Sequence, residues 1–548
     1  MAGAGCGVGM MAGGWLRQEA RNRRQCAGRA ADGAWAGFLS AGGPAKALTG
    51  TPASQRGVGG NGKQDRLAGN SGGTRCGHFQ KPGASFTLSA MAAPTFQPPK
   101  GTRDFYPDSM AVRRYIEDIW RRVSIRHGFV EVDGPTFESM DLYRVKSGEE
   151  IVSQLFYFVD RAARELALRP EFTPTLARMV AEKAQGLPRP IKWFAIPRCY
   201  RAEQPQKGRL REFMQWNVDF IGDATPRSDQ EVLMLCVDAL REFGLTTKDF
   251  RIGWNHRELM TQALVNTFVK PDRIGDAYFI LDRLGKLSAA ARSELYTQRN
   301  CDEEERGHFE MLADAISQTA VAGPALETLM ASWPAEVRNA IAVFEQKISD
   351  AGMADYCRFD IGVVRGLAYY TGFVFEVMDS SGENRAIAGG GRYDRLIEMF
   401  GGPALPAVGF GMGDVVLEIV LRERGKLPAN LLPRPDVFVV NALENGQPAA
   451  RLVTDLRVSQ WSADGQHILR PGLHVVESYR STKNIGKLLQ EAAASEARLA
   501  VILAEQEYQR GVLKIKNLRD RNEREVPVSQ AVEHVHAALE QAGPEIRG

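Results

Sequence analysis

A ten-residue segment with alternating apolar and polar side chains constrains the fold of this 548-residue chain more than any other feature. The segment reads Arg211-Glu-Phe-Met-Gln-Trp-Asn-Val-Asp-Phe220. Because a β-strand points successive side chains to opposite faces, Gln215, Asn217 and Asp219 share one face and the apolar residues share the other. The pattern predicts a strand with a buried apolar face. Its polar face is compatible with an ordinary solvated surface or with the wall of a binding site.

A shorter predicted strand lies just before this segment. It places Arg201 and Glu203 on one face, and the loop 204–210 connects it to the longer strand. If the two strands pair as antiparallel neighbours, these two side chains lie beside Gln215 and Asp219. The turn carries three cations that suit phosphate oxygens, Lys207, Arg209 and Arg211. The arrangement predicts a platform for a nucleotide.

Other segments also combine residue types that are typical of binding sites. Glu171 and Thr173 stand just before a helix predicted to start at Pro174, and Thr173 is equally compatible with helix capping and ligand binding. The segments 364–372 and 388–394 combine arginines, aromatic residues and glycines. The three successive glycines of the second segment either let the backbone approach a ligand closely or form a flexible hairpin turn.

Charge divides the chain into two parts. Residues 1–90 carry eleven Lys and Arg against three acidic residues, whereas the remainder carries 58 against 63. The glycine-rich first part is expected to be a disordered extension, compatible with an organellar transit peptide or with misassignment of the start site. The slightly acidic remainder excludes binding of nucleic acid through bulk charge, so an RNA partner would need local basic patches.

Cysteine usage and hydropathy bear on the compartment. The seven cysteines show no CxxC spacing, which fits a reducing compartment without structural zinc, and we expect a cytoplasmic protein. No apolar run approaches the length of about 18 residues that a membrane span needs, so no membrane partner is expected.

Composition also indicates the domain organisation. A helix is predicted from Pro107, and the Ala-, Leu- and Glu-rich residues 267–344 are predicted to form a helical insertion. A proline-rich linker follows, and strands alternating with helices beyond it predict a small α/β domain. We therefore divide the body into a domain at 91–430 and another at 434–548.

From about Pro98 onward the chain resembles the histidyl-tRNA synthetases, which are class II aminoacyl-tRNA synthetases. The resemblance rests on five segments in matching order: 100–107, a motif 1 region ending at Pro135, a motif 2 hairpin at 200–219, and signatures at 365–376 and 388–394. It implies an α+β catalytic core whose antiparallel sheet is flanked by helices, with a helical insertion and a C-terminal α/β anticodon-binding domain. Motif 1 implies a homodimer.

The resemblance also implies roles for particular side chains. The positions matching Glu171, Thr173 and Gln215 hold the α-amino group of histidine, a task that suits a carboxylate and neutral acceptors. Those matching Asp219 and Tyr370 hydrogen-bond the imidazole ring. Tyr369 is implied to line the same pocket.

The resemblance implies that two arginines and the motif 2 hairpin bind ATP. Arg201 matches the motif 2 arginine that contacts the α-phosphate, and Arg365 matches an arginine that faces the carboxylate and the α-phosphate. Both are implied to be catalytic through the stabilisation of charge. Glu203 and Arg209 are expected ATP contacts, and Mg²⁺ is expected to bridge the phosphates without a metal site made by the protein.

The chain departs from the family pattern at two positions. Val416 stands where motif 3 usually has an arginine that meets the ATP γ-phosphate, so compensation is expected from Arg209 or Arg392. Gln204 stands where the motif 2 loop commonly has an arginine. In the C-terminal domain, the candidate RNA contacts near a strand-to-helix turn are Arg480, Lys483 and Lys487.

The implied activity is ATP-dependent conversion of L-histidine to histidyl-adenylate and transfer to the 3′ end of tRNA-His. The alternative is a non-catalytic, histidine-sensing regulatory subunit of ATP phosphoribosyltransferase. Such relatives usually lack the C-terminal domain and the catalytic arginines, whereas this chain has Arg201, Arg365 and residues beyond 434. Only Val416 favours the alternative.

Overall fold

The computed structural model describes residues 96–146, 154–267, 269–285, 287–318, 324–365 and 369–541. The expected extension at 1–90 lies outside these ranges. Within them, no helix has both the length and the apolar character that crossing a membrane requires.

A large sheet organises the part of the chain before residue 430. The strands there are β1 (Val130–Glu131), β2 (Phe137–Ser139), β3 (Tyr157–Val159), β4 (Glu165–Leu168), β5 (Ile191–Ala195), β6 (Arg198–Tyr200), β7 (Glu212–Ile221), β8 (Phe250–His256), β9 (Cys357–Phe359), β10 (Phe373–Asp379), β11 (Ala388–Arg392) and β12 (Ala407–Gly413). The large sheet has the order β1-β5-β7-β12-β11-β10-β8-β9, with β6 paired to β7. Its interior pairs are antiparallel, which confirms the predicted sheet, and the outermost pairs β1–β5 and β8–β9 are parallel. Strands β2, β4 and β3 form a separate antiparallel sheet.

Helices flank and interrupt the large sheet. They are α1 (Pro107–Arg126), α2 (Met140–Lys146), α3 (Thr173–Lys183), α4 (Pro226–Glu242), α5 (Arg257–Thr267), α6 (Ile274–Leu284), α7 (Ala289–Gln298), α8 (Glu303–Gln318), α9 (Pro324–Ala331), α10 (Ala335–Asp350), α11 (Leu396–Met399) and α12 (Asp414–Glu423), with a 3₁₀ turn at Pro271–Arg273. Helices α5 to α10 all lie between β8 and β9 in the chain. The sequence prediction of a helical insertion is therefore confirmed.

Helix α1 packs on the apolar face of β7. Trp120 of α1 stacks on Trp216 of β7 with ring centroids 5.8 Å apart, and both rings are fully buried. The indole Nε1 of Trp216 donates to Ser124 Oγ at 3.0 Å, whereas the indole Nε1 of Trp120 is buried without a hydrogen-bond partner among the described residues. This packing holds β7 with its polar face pointing away from the helix, as the alternation predicts.

The three successive glycines lie in a central strand. Residues 389–391 belong to β11, which pairs with β10 on one side and β12 on the other, so the hairpin-turn interpretation is wrong. A β-carbon at Gly390 would overlap the carbonyl oxygen of Gly409 and lie within 2.6 Å of Phe410. A β-carbon at Gly391 would approach the carbonyl oxygen of Phe373 to 2.5 Å. Only glycine fits here because the neighbouring backbone and side chains occupy that space.

The C-terminal part has its own sheet. Its strands are β13 (Val437–Asn441), β14 (Gln460–Trp461), β15 (Ile468–Arg470), β16 (Val475–Glu477), β17 (Leu499–Leu503), β18 (Val512–Asn517) and β19 (Glu523–Pro527), and its helices are α13 (Gln447–Arg457), α14 (Ile485–Ala494), α15 (Glu505–Gln509) and α16 (Ala531–Gln541), with a 3₁₀ turn at Val528–Gln530. The main sheet has the order β16-β13-β17-β18-β19, and β14 pairs with β15. The parallel pairs β13–β16 and β13–β17 confirm the predicted α/β character.

We expect Gly390→Ala to lower the stability of the large sheet by about 1–3 kcal/mol or more, because the neighbouring atoms belong to β12 and cannot withdraw without breaking a strand pair. The measurement is the shift of the urea unfolding midpoint. Gly307→Ala is the matched control: Gly307 lies inside α8 with no atom within 4 Å of an added β-carbon, so alanine should be neutral or stabilising by about 0.5–1 kcal/mol. Equal midpoints for the two variants would contradict the packing argument.

Candidate active site

A cavity of about 700 Å³ lies over the polar face of β7. Most of the side chains that the sequence singles out line it. These are Glu171, Thr173, Arg201, Arg209, Gln215, Asp219, Arg365, Tyr369 and Tyr370. Glu203 lies outside the lining and contacts Arg209 instead, through an ion pair between Oε2 and Nη1. The structure therefore brings nine of the ten predicted side chains together.

Glycines of β11 and β12 form the floor under three of these side chains. Across the β7–β12 ladder Gly409 pairs with Asp219, Gly411 with Asn217 and Gly413 with Gln215. An added β-carbon at Gly411 would overlap the Gln215 amide, and one at Gly409 would overlap the Asp219 carboxylate. At Gly389 it would lie 2.6 Å from the Arg365 guanidinium carbon. The functional groups therefore lie flat on bare backbone, which explains why β11 and β12 are glycine-rich.

Asp219 is buried and has a phenol partner. The hydroxyl of Tyr393 donates to Asp219 Oδ1. Burial and the neighbouring carboxylate raise the pKa of Tyr393 well above its usual value, so the phenol remains a donor. Sequence reasoning did not assign Tyr393, although the residue belongs to the glycine-rich signature at 388–394.

Asn217 is a second side chain that sequence reasoning left without a role. It shares the polar face of β7, lines the cavity and is buried. Its Oδ1 has no hydrogen-bond partner among the residues that the structure describes. An unsatisfied buried acceptor of this kind is suited to a ligand donor. The alternation along β7 was the signal that could have included it.

Arg365 is a half-buried cation with a strained backbone. Its φ of 49° lies in the left-handed region, which is unfavourable for residues other than glycine and is common at functional sites. Its Nη1 donates to Glu376 Oε1 at 2.7 Å. Burial opposes the charge, but Tyr370 and Glu376 outweigh it and raise the pKa of Arg365 above its usual value. The guanidinium therefore stays charged in the cavity.

Arg201 is held without a carboxylate. Its Nε donates to the carbonyl oxygen of Pro170 at 3.2 Å, and its guanidinium lies over the ring of Phe213 at 4.9 Å. Among the described residues, no acidic side chain pairs with it. Both Arg201 and Arg365 line the same cavity, which is the arrangement that two cations around one reacting phosphate require.

The start of α3 contributes Thr173, and Glu171 lies two residues before it. Helix α3 begins at Thr173 with Phe172 at the N-cap position, so the interpretation of Thr173 as the N-cap is wrong. Both Glu171 and Thr173 are buried and line the cavity. Thr173 therefore lines the cavity from inside the helix and does not cap its end.

The motif 2 hairpin differs in register from the prediction. Cys199 lies opposite Phe213, and the backbone nitrogen of Arg201 donates to the carbonyl oxygen of Arg211. Arg201 and Glu203 are thus nearer the hairpin tip than the prediction placed them, and they do not lie beside Gln215 and Asp219 along the ladder. Arg201 reaches the cavity through its long side chain.

The three cations of the hairpin turn have different surroundings. Lys207 forms an ion pair with Glu423, at 3.2 Å, and Arg211 Nε donates to the carbonyl oxygen of Glu203 at 3.0 Å. Neither residue lines the cavity, whereas Arg209 does. Of the predicted phosphate cluster, only Arg209 faces the site.

Arg392 does not compensate for the missing motif 3 arginine. It is buried outside the cavity lining and forms an ion pair with Asp229 at 2.8 Å. Its guanidinium also donates to the carbonyl oxygen of Asp223 at 3.0 Å and to Ser228 Oγ at 2.8 Å. Because these partners use its donors, the expectation that Arg392 reaches the ATP tail is wrong.

Profiles of two known families match this chain. The profile described as Histidyl-tRNA synthetase matches residues 101–414, and the profile described as Anticodon binding domain matches residues 447–537. The histidine–tRNA ligase of Opitutus terrae is 38% identical over 456 residues, which cover 80% of this chain and 97% of that relative. The "Histidine–tRNA ligase, chloroplastic/mitochondrial" of Arabidopsis thaliana is 35% identical over 437 residues, which cover 79% of this chain and 85% of the relative.

Solved structures share the fold. The apo histidyl-tRNA synthetase of S. aureus has a TM-score of 0.58 and 23% identity, and covers 80% of this chain and 100% of its own. The histidyl-tRNA synthetase of Nostoc sp. PCC 7120 has a TM-score of 0.61 and 22% identity, with coverages of 81% and 99%. Together with the family profile, which spans more than half of the chain, and the relatives of more than one-third identity, these findings show that the chain belongs to the histidyl-tRNA synthetase family.

Proposed function

We propose that the cavity over β7 catalyses both steps by which a histidine–tRNA ligase charges its tRNA. In the first step a carboxylate oxygen of L-histidine attacks the α-phosphorus of ATP, the bond to the bridging oxygen breaks, and pyrophosphate leaves. In the second step a hydroxyl of the terminal adenosine of tRNA-His attacks the carbonyl carbon of histidyl-adenylate and AMP leaves. The observation that carries the proposal is that Arg201 and Arg365 line one cavity with the polar face of β7.

The histidine side of the cavity selects by hydrogen bonding. Glu171, Thr173 and Gln215 would hold the α-amino group, and Asp219 and Tyr370 would hydrogen-bond the two nitrogens of the imidazole, with Tyr369 against the ring. A substrate without donors and acceptors at both ring nitrogens would leave buried polar groups unpaired. Such a penalty gives strong discrimination without a separate editing site.

The ATP side of the cavity stabilises charge. Arg201 would contact the α-phosphate, and Arg365 would neutralise charge on the carboxylate and on the phosphorus as the new bond forms. Both guanidinium groups are positioned before the substrate arrives, Arg365 by Glu376 and Arg201 by Pro170 and Phe213. Preorganised cations of this kind lower the barrier because they do not reorient during the reaction. Glu203 and Arg209 would contact ATP at the hairpin.

Mg²⁺ fits this site as a companion of the nucleotide. The ion usually keeps several waters and binds through substrate phosphates and one or two carboxylates. The described residues contain no group of three metal-ligating side chains, and Glu203 is the carboxylate of the hairpin that would face a phosphate-bound ion. When bound, Mg²⁺ neutralises phosphate charge.

The C-terminal part is proposed to bind the anticodon region of tRNA-His. We place the catalytic domain at 91–430 and the anticodon-binding domain at 434–548, and the two family profiles fall inside these bounds. Arg480, Lys483 and Lys487 lie just before or in the first turn of α14, where Asn484 caps the helix by accepting from the backbone nitrogen of Lys487. Their exposed side chains are the proposed RNA contacts.

The regulatory-subunit alternative is not better supported. The curated relatives cited above are ligases, and the match to the anticodon-binding family covers residues beyond 447. A solved structure described as an ATP phosphoribosyltransferase regulatory subunit/histidyl-tRNA synthetase, from Bacillus halodurans, shares the fold at a TM-score of 0.57 and 23% identity. That similarity extends to the fold alone.

A homodimer is proposed from an exposed apolar face. The small sheet β2-β4-β3, which follows motif 1, exposes Phe137, Tyr157, Phe158 and Val159, with Tyr157 63% and Phe158 42% exposed. The ring centroids of Phe137 and Phe158 are 5.8 Å apart, so these two residues form one exposed apolar patch. Contiguous apolar patches of this kind are typical of protein interfaces.

We place the protein in the cytoplasm because its thiols suit a reducing compartment. The cysteines among the described residues, Cys199, Cys236, Cys301 and Cys357, are all buried and unpaired. Burial raises the pKa of the Cys199 and Cys357 thiols to about 12, which keeps them protonated and unreactive. Cell fractionation with peptide mapping tests the location, and enrichment in an organelle would contradict it.

Arg365→Ala tests the proposed catalysis. We expect the activation step to lose about 3 kcal/mol or more of transition-state stabilisation, because a preorganised cation facing the reacting phosphorus is removed. The measurement is the rate of ATP–pyrophosphate exchange that depends on histidine. A near-normal rate would refute the role of Arg365, and exchange that does not depend on histidine would refute the specificity.

Gly389→Ala is a second test of the same site that leaves Arg365 in the chain. An added β-carbon would displace the Arg365 guanidinium, which is the movable end of a side chain, whereas at Gly390 it would meet backbone. We therefore expect Gly389→Ala to unfold near the wild-type midpoint but to lose most of its exchange activity. Full activity in a folded Gly389→Ala variant would contradict the placement of the guanidinium.

Phe158→Glu tests the proposed dimer interface. A charge in the apolar patch should convert a dimer into monomers, measured by size-exclusion chromatography with light scattering at micromolar concentration. Leu469→Glu is the matched control, since Leu469 is also strongly exposed but lies in the C-terminal part. A monomeric wild-type protein, or a dimer that survives Phe158→Glu, would rule out this interface.

A further inference from the structure

The site lacks a cation at the position where the family pattern has one. Val416 is buried in the cavity wall close to the tip of the motif 2 hairpin: its Cγ2 lies 3.2 Å from the β-carbon position of Gly208. An apolar methyl group therefore faces the place where a guanidinium would meet the end of the ATP phosphate chain. Arg392 is paired with Asp229 and Arg209 is paired with Glu203, which leaves room for a further cation at this place.

Arg385 lies at this same place. It lines the cavity, and its Cδ and Cβ lie 3.7 and 4.0 Å from the β-carbon position of Gly208. Gly208 is the hairpin-tip glycine, with a φ of +76°. Arg385 and Val416 are therefore neighbours under the hairpin tip, although 31 positions separate them in the chain. Its long side chain can reach the space that an arginine at 416 would occupy.

The guanidinium of Arg385 is not held by another group among the described residues. In the described ranges it forms no ion pair or hydrogen bond, in contrast to Arg365 with Glu376 and Arg209 with Glu203. Partial burial and the positive charge of Arg209 lower the pKa of Arg385, with Glu203 opposing. Two neighbouring cations and one carboxylate leave an excess of positive charge at the cavity mouth. A polyanion would relieve this repulsion.

We propose that Arg385 binds the β- and γ-phosphates of ATP in place of the arginine that the family carries at position 416. The inference rests on the proposed function and deepens it by naming a residue that holds the departing pyrophosphate. Arg385 contacts the β- and γ-phosphates, whereas Arg201 and Arg365 contact the α-phosphate. The phosphate chain fits better than the adenine base, because a guanidinium pairs bidentately with phosphate oxygens.

The test compares the kinetics of Arg385→Ala with those of the wild type in histidine-dependent ATP–pyrophosphate exchange. We expect the KM for ATP to rise about tenfold or more, since a charge-assisted contact is lost, while the KM for histidine changes less than twofold. The matched control is Arg395→Ala, because Arg395 is an exposed arginine outside the cavity lining. The control should leave both constants unchanged.

Direct binding separates a contact to the phosphate tail from a general loss of structure. In Arg385→Ala, calorimetry without histidine should show ATP bound about tenfold more weakly and AMP bound as in the wild type. Moving the charge to the family position should restore function: Val416→Arg in the Arg385→Ala background should recover at least part of the lost ATP affinity. Arg385→Lys should lose less than Arg385→Ala because it keeps the charge.

Several outcomes would overturn the proposal. They are an unchanged ATP affinity in Arg385→Ala, an equal loss of ATP and AMP binding, and an increase confined to the KM for tRNA, which would assign Arg385 to the acceptor arm. If the wild type shows no histidine-dependent exchange, the proposed function itself fails. If the wild type is active and only Arg365→Ala is impaired, this inference alone fails.

Discussion

Contact between functional side chains and bare backbone is the constraint on which the rest of this site depends. Strands β11 and β12 lie next to each other in the middle of the sheet, and Gly389, Gly409 and Gly411 present bare backbone to the cavity. The Arg365 guanidinium, the Gln215 amide and the Asp219 carboxylate occupy the space that β-carbons at these glycines would fill. A sheet carries a dense polar constellation on its surface only when the neighbouring positions give up their own side chains.

Strand β7 gives this constellation its rigidity. Its apolar face is fixed against α1 by the stacked indole rings of Trp120 and Trp216, and its polar face presents Gln215, Asn217 and Asp219 at spacings set by the strand. A site built on a regular element that is packed on its other side keeps its geometry better than a site on loops. The hydrogen bond from Tyr393 to Asp219 ties the strand to the glycine-rich signature at 388–394.

The arginines in and near the cavity form two groups, those with an acidic partner and those without one. Arg365 and Arg209 have carboxylates that hold them in place, and Arg392 is fully engaged with Asp229 outside the cavity. Within the described residues, Arg201 and Arg385 line the cavity without an acidic partner. The paired arginines are held by their carboxylates, and the positive charge of the arginines without an acidic partner is not offset by a neighbouring carboxylate. Such a division suits a site in which a triphosphate must be oriented first and then released as pyrophosphate.

The sequence by itself determined which face of each local element is polar, because the alternation along 211–220 and the helical spacing after Pro107 follow directly from backbone geometry. It also determined most of the candidate site residues through the family signatures. Only the tertiary structure decided the register of the hairpin, the strand conformation of the three glycines and the partners of Arg392 and Arg385. These depend on contacts between residues far apart in the chain, and no local periodicity encodes such contacts. Arg385 shows this most clearly, since only folding makes it the neighbour of Val416.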